Sequence, residues 1–142
     1  MLKMLIAVDG SDYSKRAIET LAKMARAGAP LEVILLNVRD PLVIFGDLPA
    51  VNIDQIEAAQ QKFQDNLLAD AQALVLGCGL TLLSVQRAVG LAGPEIVRVA
   101  AEHAVDQIVM GTHGRGAVGS LFIGSVSQRV VPLSQVPVLL VK

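Results

Sequence analysis

Leu31-Glu32-Val33-Ile34-Leu35-Leu36-Asn37-Val38 is apolar at nearly every position, odd and even alike. A strand with one wet face alternates apolar and polar residues, whereas a strand covered on both faces has no such alternation. The stretch therefore predicts a strand of a parallel sheet with a layer on each side. Parallel neighbours cannot be joined by a tight turn, so helices must alternate with the strands around it.

The flanking sequence fits that requirement. Towards the N-terminus, Gly28 stops a helix running from Tyr13 to Ala27, with Ala17, Leu21, Met24 and Ala25 on its apolar face. Lys3 to Val8 reads as the strand before it, ending in the turn Asp9-Gly10-Ser11-Asp12. In the other direction, Arg39 to Ile53 is irregular, with Pro41 and Pro49 set against helix. A connection that long usually carries function, and Leu42, Val43, Ile44 and Phe45 make it an expected cover for a ligand. Asp54 is the expected cap of a helix reaching about Leu76, with Ile56, Phe63, Leu67 and Leu74 turned inward, and Gly77 and Gly79 end it. Leu80 to Val89 is a third strand, Gly93-Pro94-Glu95 opens a third helix, and Asp106 to Met110 is a fourth strand. A glycine-rich loop leads to a helix from about Gly124 to Leu133 and a last strand, Val136 to Val141. The expectation is a single α/β domain over residues 1–142. Its sheet is five-stranded, parallel and doubly wound in the order 3-2-1-4-5, Rossmann-like, with helices on both faces.

Composition narrows the partners. A net charge of -1 argues against broad attraction to nucleic acid or anionic lipid. Tyr13, Phe45, Phe63 and Phe122 are too scattered for a base-stacking platform. No apolar run approaches the roughly 20 residues of a membrane span. Met4 to Val8 runs into Asp9 without the pattern of a signal peptide. The one cysteine, Cys78, excludes an internal disulfide and suits a reducing compartment, so a cytoplasmic location is expected.

In doubly wound sheets ligands bind beyond the carboxyl ends of the strands, where strand order reverses. That point lies between the first and fourth strands, so Asp9 and Gly111 converge there. From Gly111 the chain reads Gly111-Thr112-His113-Gly114-Arg115-Gly116, and it reaches Gly124-Ser125-Val126-Ser127 at the start of a helix. Glycines allow positive φ and close approach, a helix N-terminus favours phosphate, and Ser125, Ser127 and Arg115 add donors. These are the ingredients of a triphosphate cradle.

The spacing Gly111-x2-Gly114-x9-Gly124-Ser125 is similar to the signature of the ATP-binding members of the universal stress protein A family, and members that do not bind ATP typically lack it. Ala7-Val8-Asp9-Gly10-Ser11 resembles that family's first strand and turn, and Pro137 to Val141 its last strand. The resemblance covers essentially the whole chain. It implies that Asp9 binds the ribose or adenine side and that the backbone of Val38 contacts adenine. It further implies that Met110, Gly111, Gly114, Gly124, Ser125 and Val126 surround the ribose and phosphates. His113, Arg115 and Ser127 lie outside the signature's fixed positions and are additional candidates.

Plainer roles compete with these. Asp9 can serve as a turn residue, the glycine loop as a connector, Arg115 and His113 as solvated residues, and His103 as a cation at a helix C-terminus. The P-loop lysine is absent, with Ser125 in its place, and no dinucleotide glycine pattern follows the first strand. Val89-Gly90 stands where a receiver domain would carry its phospho-acceptor aspartate. Neither a metal cluster nor a catalytic triad can be assembled. The expected function is a nucleotide-dependent regulator or stress-response protein that binds ATP with Mg²⁺, acts on a protein not identified, and forms a homodimer through its uncharged final strand. The alternatives are a slow ATPase or phosphotransferase, lacking an evident general base, and a nucleotide-free dimeric interaction module.

Overall fold

The computed structural model describes residues 1–43, 46, 52–114 and 122–142. Strands β1 (Leu2–Ala7), β2 (Leu31–Arg39), β3 (Thr81–Val89), β4 (Gln107–Gly111) and β5 (Val138–Val141) form one parallel sheet in the order β3-β2-β1-β4-β5. Helices α1 (Asp12–Arg26), α2 (Ile53–Gly77), α3 (Ala92–Glu102) and α4 (Ser125–Leu133) make the crossovers. The strand order is the expected one, and each boundary lies within a few residues of its sequence reading.

Two cores, one per face, explain why the strands show no alternation. Met4, Ile6, Val33 and Leu35 pack with α1 and α2, while Leu5, Ile34 and Leu36 pack on the other face with α3 and α4. Leu5, Ile6, Val33, Leu35 and Leu36 are fully buried. Burial of each such side chain stabilises the fold by about 1.5–3 kcal/mol relative to exposure.

Local chemistry sets the helix starts. Ser11 accepts a hydrogen bond from the Ser14 amide and caps α1. The cap of α2 is Asn52, whose side-chain oxygen accepts from the Gln55 amide, and not the expected Asp54, which lies inside the first turn. The buried stripe of α2 is also shifted from the expected one, to Gln64, Leu68, Ala71 and Val75. Leu67 and Leu74 pack at its margin, and Phe63 is 53% exposed. In α1 the buried residues are Ser14, Ala17, Ile18, Leu21 and Ala22, and Met24, expected on that face, is exposed.

Gln64 accounts for the α2 shift. Its amide donates to the carbonyl oxygen and Oδ1 of Asn37 and to the carbonyl oxygen of Ala88, at 3.0–3.1 Å. Asn37 in turn donates from Nδ2 to the Val8 carbonyl at 2.7 Å. A buried polar network thus ties α2 and β2 to the residue that precedes Asp9, at the rim where the strands end.

Candidate functional site

At that rim is a cavity of about 510 Å³. It is within the size range of small-molecule sites, and it stands at the switch point between β1 and β4. Asp9 and Val38 line it from the ends of β1 and β2, and Met110 and Gly111 from the end of β4. His113 and Gly114 follow them, and Gly124, Ser125, Val126 and Ser127 close it from the start of α4. Arg115, and residues 44–45 and 47–51 of the expected cover between Arg39 and Ile53, lie outside the described residues.

Asp9 is held by its own turn. Oδ1 accepts from the Ser11 amide at 2.9 Å, with Gly10 at φ 82°. The other carboxylate oxygen faces Gly114, where a Cβ would stand 2.9 Å from it. A Cβ on Gly111 would meet the Cβ of Tyr13 at 2.5 Å, and one on Gly124 would lie 3.1 Å from the Thr112 carbonyl oxygen. None of Gly111, Gly114 and Gly124 has positive φ. Close approach of protein to protein is what these three positions require, which corrects the expectation that they supply unusual backbone angles.

Hydrogen bonds tie the two sides of the glycine segment together. Ser127 Oγ donates to the Gly111 carbonyl at 3.0 Å, and the Gly124 amide donates to the Thr112 carbonyl at 2.6 Å. His113 reaches the Phe122 carbonyl through Nε2. Ser127 therefore lines the cavity with its hydroxyl proton already engaged.

The N-terminus of α4 opens into the cavity. Where α1 and α2 have side-chain caps, α4 is preceded by Gly124 and has no side-chain cap bond. The N–H groups of its first turn lack carbonyl partners four residues back within the helix, and the dipole is positive there. No lysine or arginine is among the described lining residues, which do include the carboxylates of Asp9 and Asp40. Asp40, Asn37 and Ile96 went unrecognised in the sequence. Asn37 had a visible signal, as a polar residue inside an otherwise apolar strand. Among the described residues no group of three or more His, Cys, Asp or Glu could hold a metal ion. No helix among them is long and apolar enough to cross a membrane.

Strand order and a rim cavity at the switch point define a doubly wound, Rossmann-like α/β protein with a cleft between β1 and β4. The Universal stress protein family model matches residues 1–142, and the chain belongs to that family. A universal stress protein of Thermus aquaticus, from the 3′ region of the QAH/OAS sulfhydrylase, is 37% identical, with 98% of this chain and 97% of the relative covered. The solved structure of MJ0577 of Methanocaldococcus jannaschii superposes with a TM-score of 0.78 at 26% identity, covering 99% of this chain and 94% of that one. More distant chains alike in fold include an Arabidopsis thaliana family protein with AMP bound, at 20% identity and a TM-score of 0.70, covering 100% of this chain and 92% of its own. Others are the Archaeoglobus fulgidus protein in complex with dAMP and a universal stress protein in complex with cAMP.

Proposed function

We propose that this chain is an adenine-nucleotide-binding regulator of the reducing cytoplasm, with ATP and Mg²⁺ as its ligand. The observation that carries the reading is the uncapped N-terminus of α4 opening into a cavity that Asp9 and Val38 line from the opposite side. Amides of Ser125 and Val126 would meet phosphate oxygens, with Gly111, Gly114 and Gly124 keeping that space free of side chains. Asp9 would accept from ribose hydroxyls, and the Val38 backbone would meet the adenine edge. Mg²⁺, bound through phosphate oxygens, would supply the countercharge that the described lining residues lack. Occupancy would alter the surface that a second protein reads.

That same lack of cationic side chains favours a second reading, in which the ligand is a nucleoside monophosphate. AMP, dAMP and cAMP in distant proteins of this fold support it. Titration calorimetry with ATP, with ATP plus Mg²⁺, and with AMP separates the two. ATP binding that depends on Mg²⁺ supports the first reading, and AMP binding tighter than either supports the second. No binding of any of them at millimolar concentration to folded protein rejects both. We further place a homodimer contact on the outer edge of β5, as a proposal with its own test in the Discussion.

A further inference from the structure

We infer that His113 is a positioning residue, a clasp that sets the approach of the chain to the N-terminus of α4 and thereby aims the phosphate-facing amides. The inference rests on the nucleotide reading of the cavity. A carbonyl oxygen only accepts, so the contact with Phe122 places a proton on His113 Nε2. Nδ1 lies 2.9 Å from Thr112 Oγ1, whose hydroxyl then donates to it in the neutral ring. One side of the ring meets Tyr13, with centroids 5.0 Å apart and planes tilted by 46°. Tyr13 is itself covered by the Arg16 guanidinium at 4.6 Å. Both ring nitrogens are engaged by protein groups, so His113 lines the cavity without a nitrogen to spare for a ligand.

The clasp has a particular place in the chain. Gly111, Thr112 and His113 are joined in turn to Ser127, Gly124 and Phe122. The first two joints fix the body of the helix start. The third ties Phe122, two positions before Gly124, and Gln128 Nε2 donates to the carbonyl of Ile123 between them. Loss of a supporting bond of this kind lets a binding group drift from its productive geometry while the fold persists.

The test compares adenosine and AMP on wild type, His113→Ala and His113→Gln, since the glutamine amide can still donate to the Phe122 carbonyl. His113→Ala should weaken AMP binding by about tenfold, a single supporting hydrogen bond's worth, and leave adenosine binding unchanged. His113→Gln should recover most of the AMP affinity. Equal AMP affinity in wild type and His113→Ala overturns the clasp alone, as does an equal loss for adenosine and AMP. A folded wild type that binds neither compound overturns the cavity reading and the clasp together. Should His113→Ala not fold, ring ¹⁵N shifts of the wild type decide, because an Nδ1–H tautomer excludes donation to Phe122.

Discussion

A Cβ on Gly114 would stand 2.9 Å from Oδ2 of Asp9. Because Oδ1 of the same carboxylate is already bound to the Ser11 amide, the group cannot swing aside without opening its turn. The glycine after β4 and the aspartate after β1 are thus a matched pair, although 105 positions separate them in the chain.

The first prediction concerns that pair. Gly114→Ala should displace either the Asp9 carboxylate or the loop and weaken nucleotide binding by about 1–3 kcal/mol, the range for a charge-assisted hydrogen bond lost. Asp9→Ala should cost a similar amount, and the double variant should cost little more than either alone. Gly77→Ala is the control, since a Cβ there meets nothing within 4 Å. Calorimetry that finds the two site effects fully additive would separate Gly114 from Asp9.

A second prediction follows from Gln64. Gln64→Leu keeps the volume but removes the donor to Asn37 and Ala88, leaving buried oxygens without it. The expected loss of stability is about 1–3 kcal/mol, read by urea unfolding. Because Asn37 lines the cavity, nucleotide affinity should fall as well. Unchanged stability would mean that water or rearrangement replaces the network.

The third prediction is a stabilisation. Ala104, just beyond α3, has φ 48°, a left-handed conformation in which its Cβ is strained. The Val105 amide donates to the Ala100 carbonyl and the Ala104 amide to that of Ala101, as in a glycine-type helix stop. Ala104→Gly should relieve the strain, partly offset by the greater entropy glycine gives the unfolded chain, for a net gain of about 0.5–1 kcal/mol. Thermal melting would register this as a rise of roughly 1–4 °C, and a fall would refute it.

The fold was legible because both parities of β1 and β2 are apolar, and only a sheet covered on two faces requires that. The rim was legible because strand order brings Asp9 and Gly111 together. The stripe of α2 was misread because hydropathy cannot see that Gln64 is worth burying when Asn37 and Ala88 receive its hydrogen bonds. Nor could spacing reveal why glycines occupy positions 111, 114 and 124. A Cβ would collide with Tyr13 at 111 and with Asp9 at 114, and would crowd the Thr112 carbonyl at 124, all residues distant along the chain. Asn52 displaced Asp54 as a cap for a subtler reason. Both are good capping residues, and the choice between them depends on where the incoming chain turns.

The last prediction tests the proposed dimer. β5 pairs with β4 alone, so one edge of it faces away from the sheet. Leu139 packs against the α1-side core, so replacing it with lysine would disturb the fold as well as the edge. A cleaner probe comes from the ladder. The Ile108 amide donates to the Pro137 carbonyl and the Thr112 amide to that of Val141. Main-chain groups of residues 137, 139 and 141 therefore turn towards β4, and those of Val138 and Leu140 turn outwards. Leu140→Pro deletes an outward N–H and leaves the β4 ladder its donors; it also trims the Leu140 side chain from the margin of the α3-side core, but places no charge there. Antiparallel pairing of β5 with its copy would lose two hydrogen bonds by symmetry, one for each chain. Light scattering should show a wild-type dimer at tens of micromolar and a dissociation constant raised about tenfold or more in the variant. A monomeric wild type rejects the dimer, and an undiminished dimer in folded Leu140→Pro moves its interface away from β5.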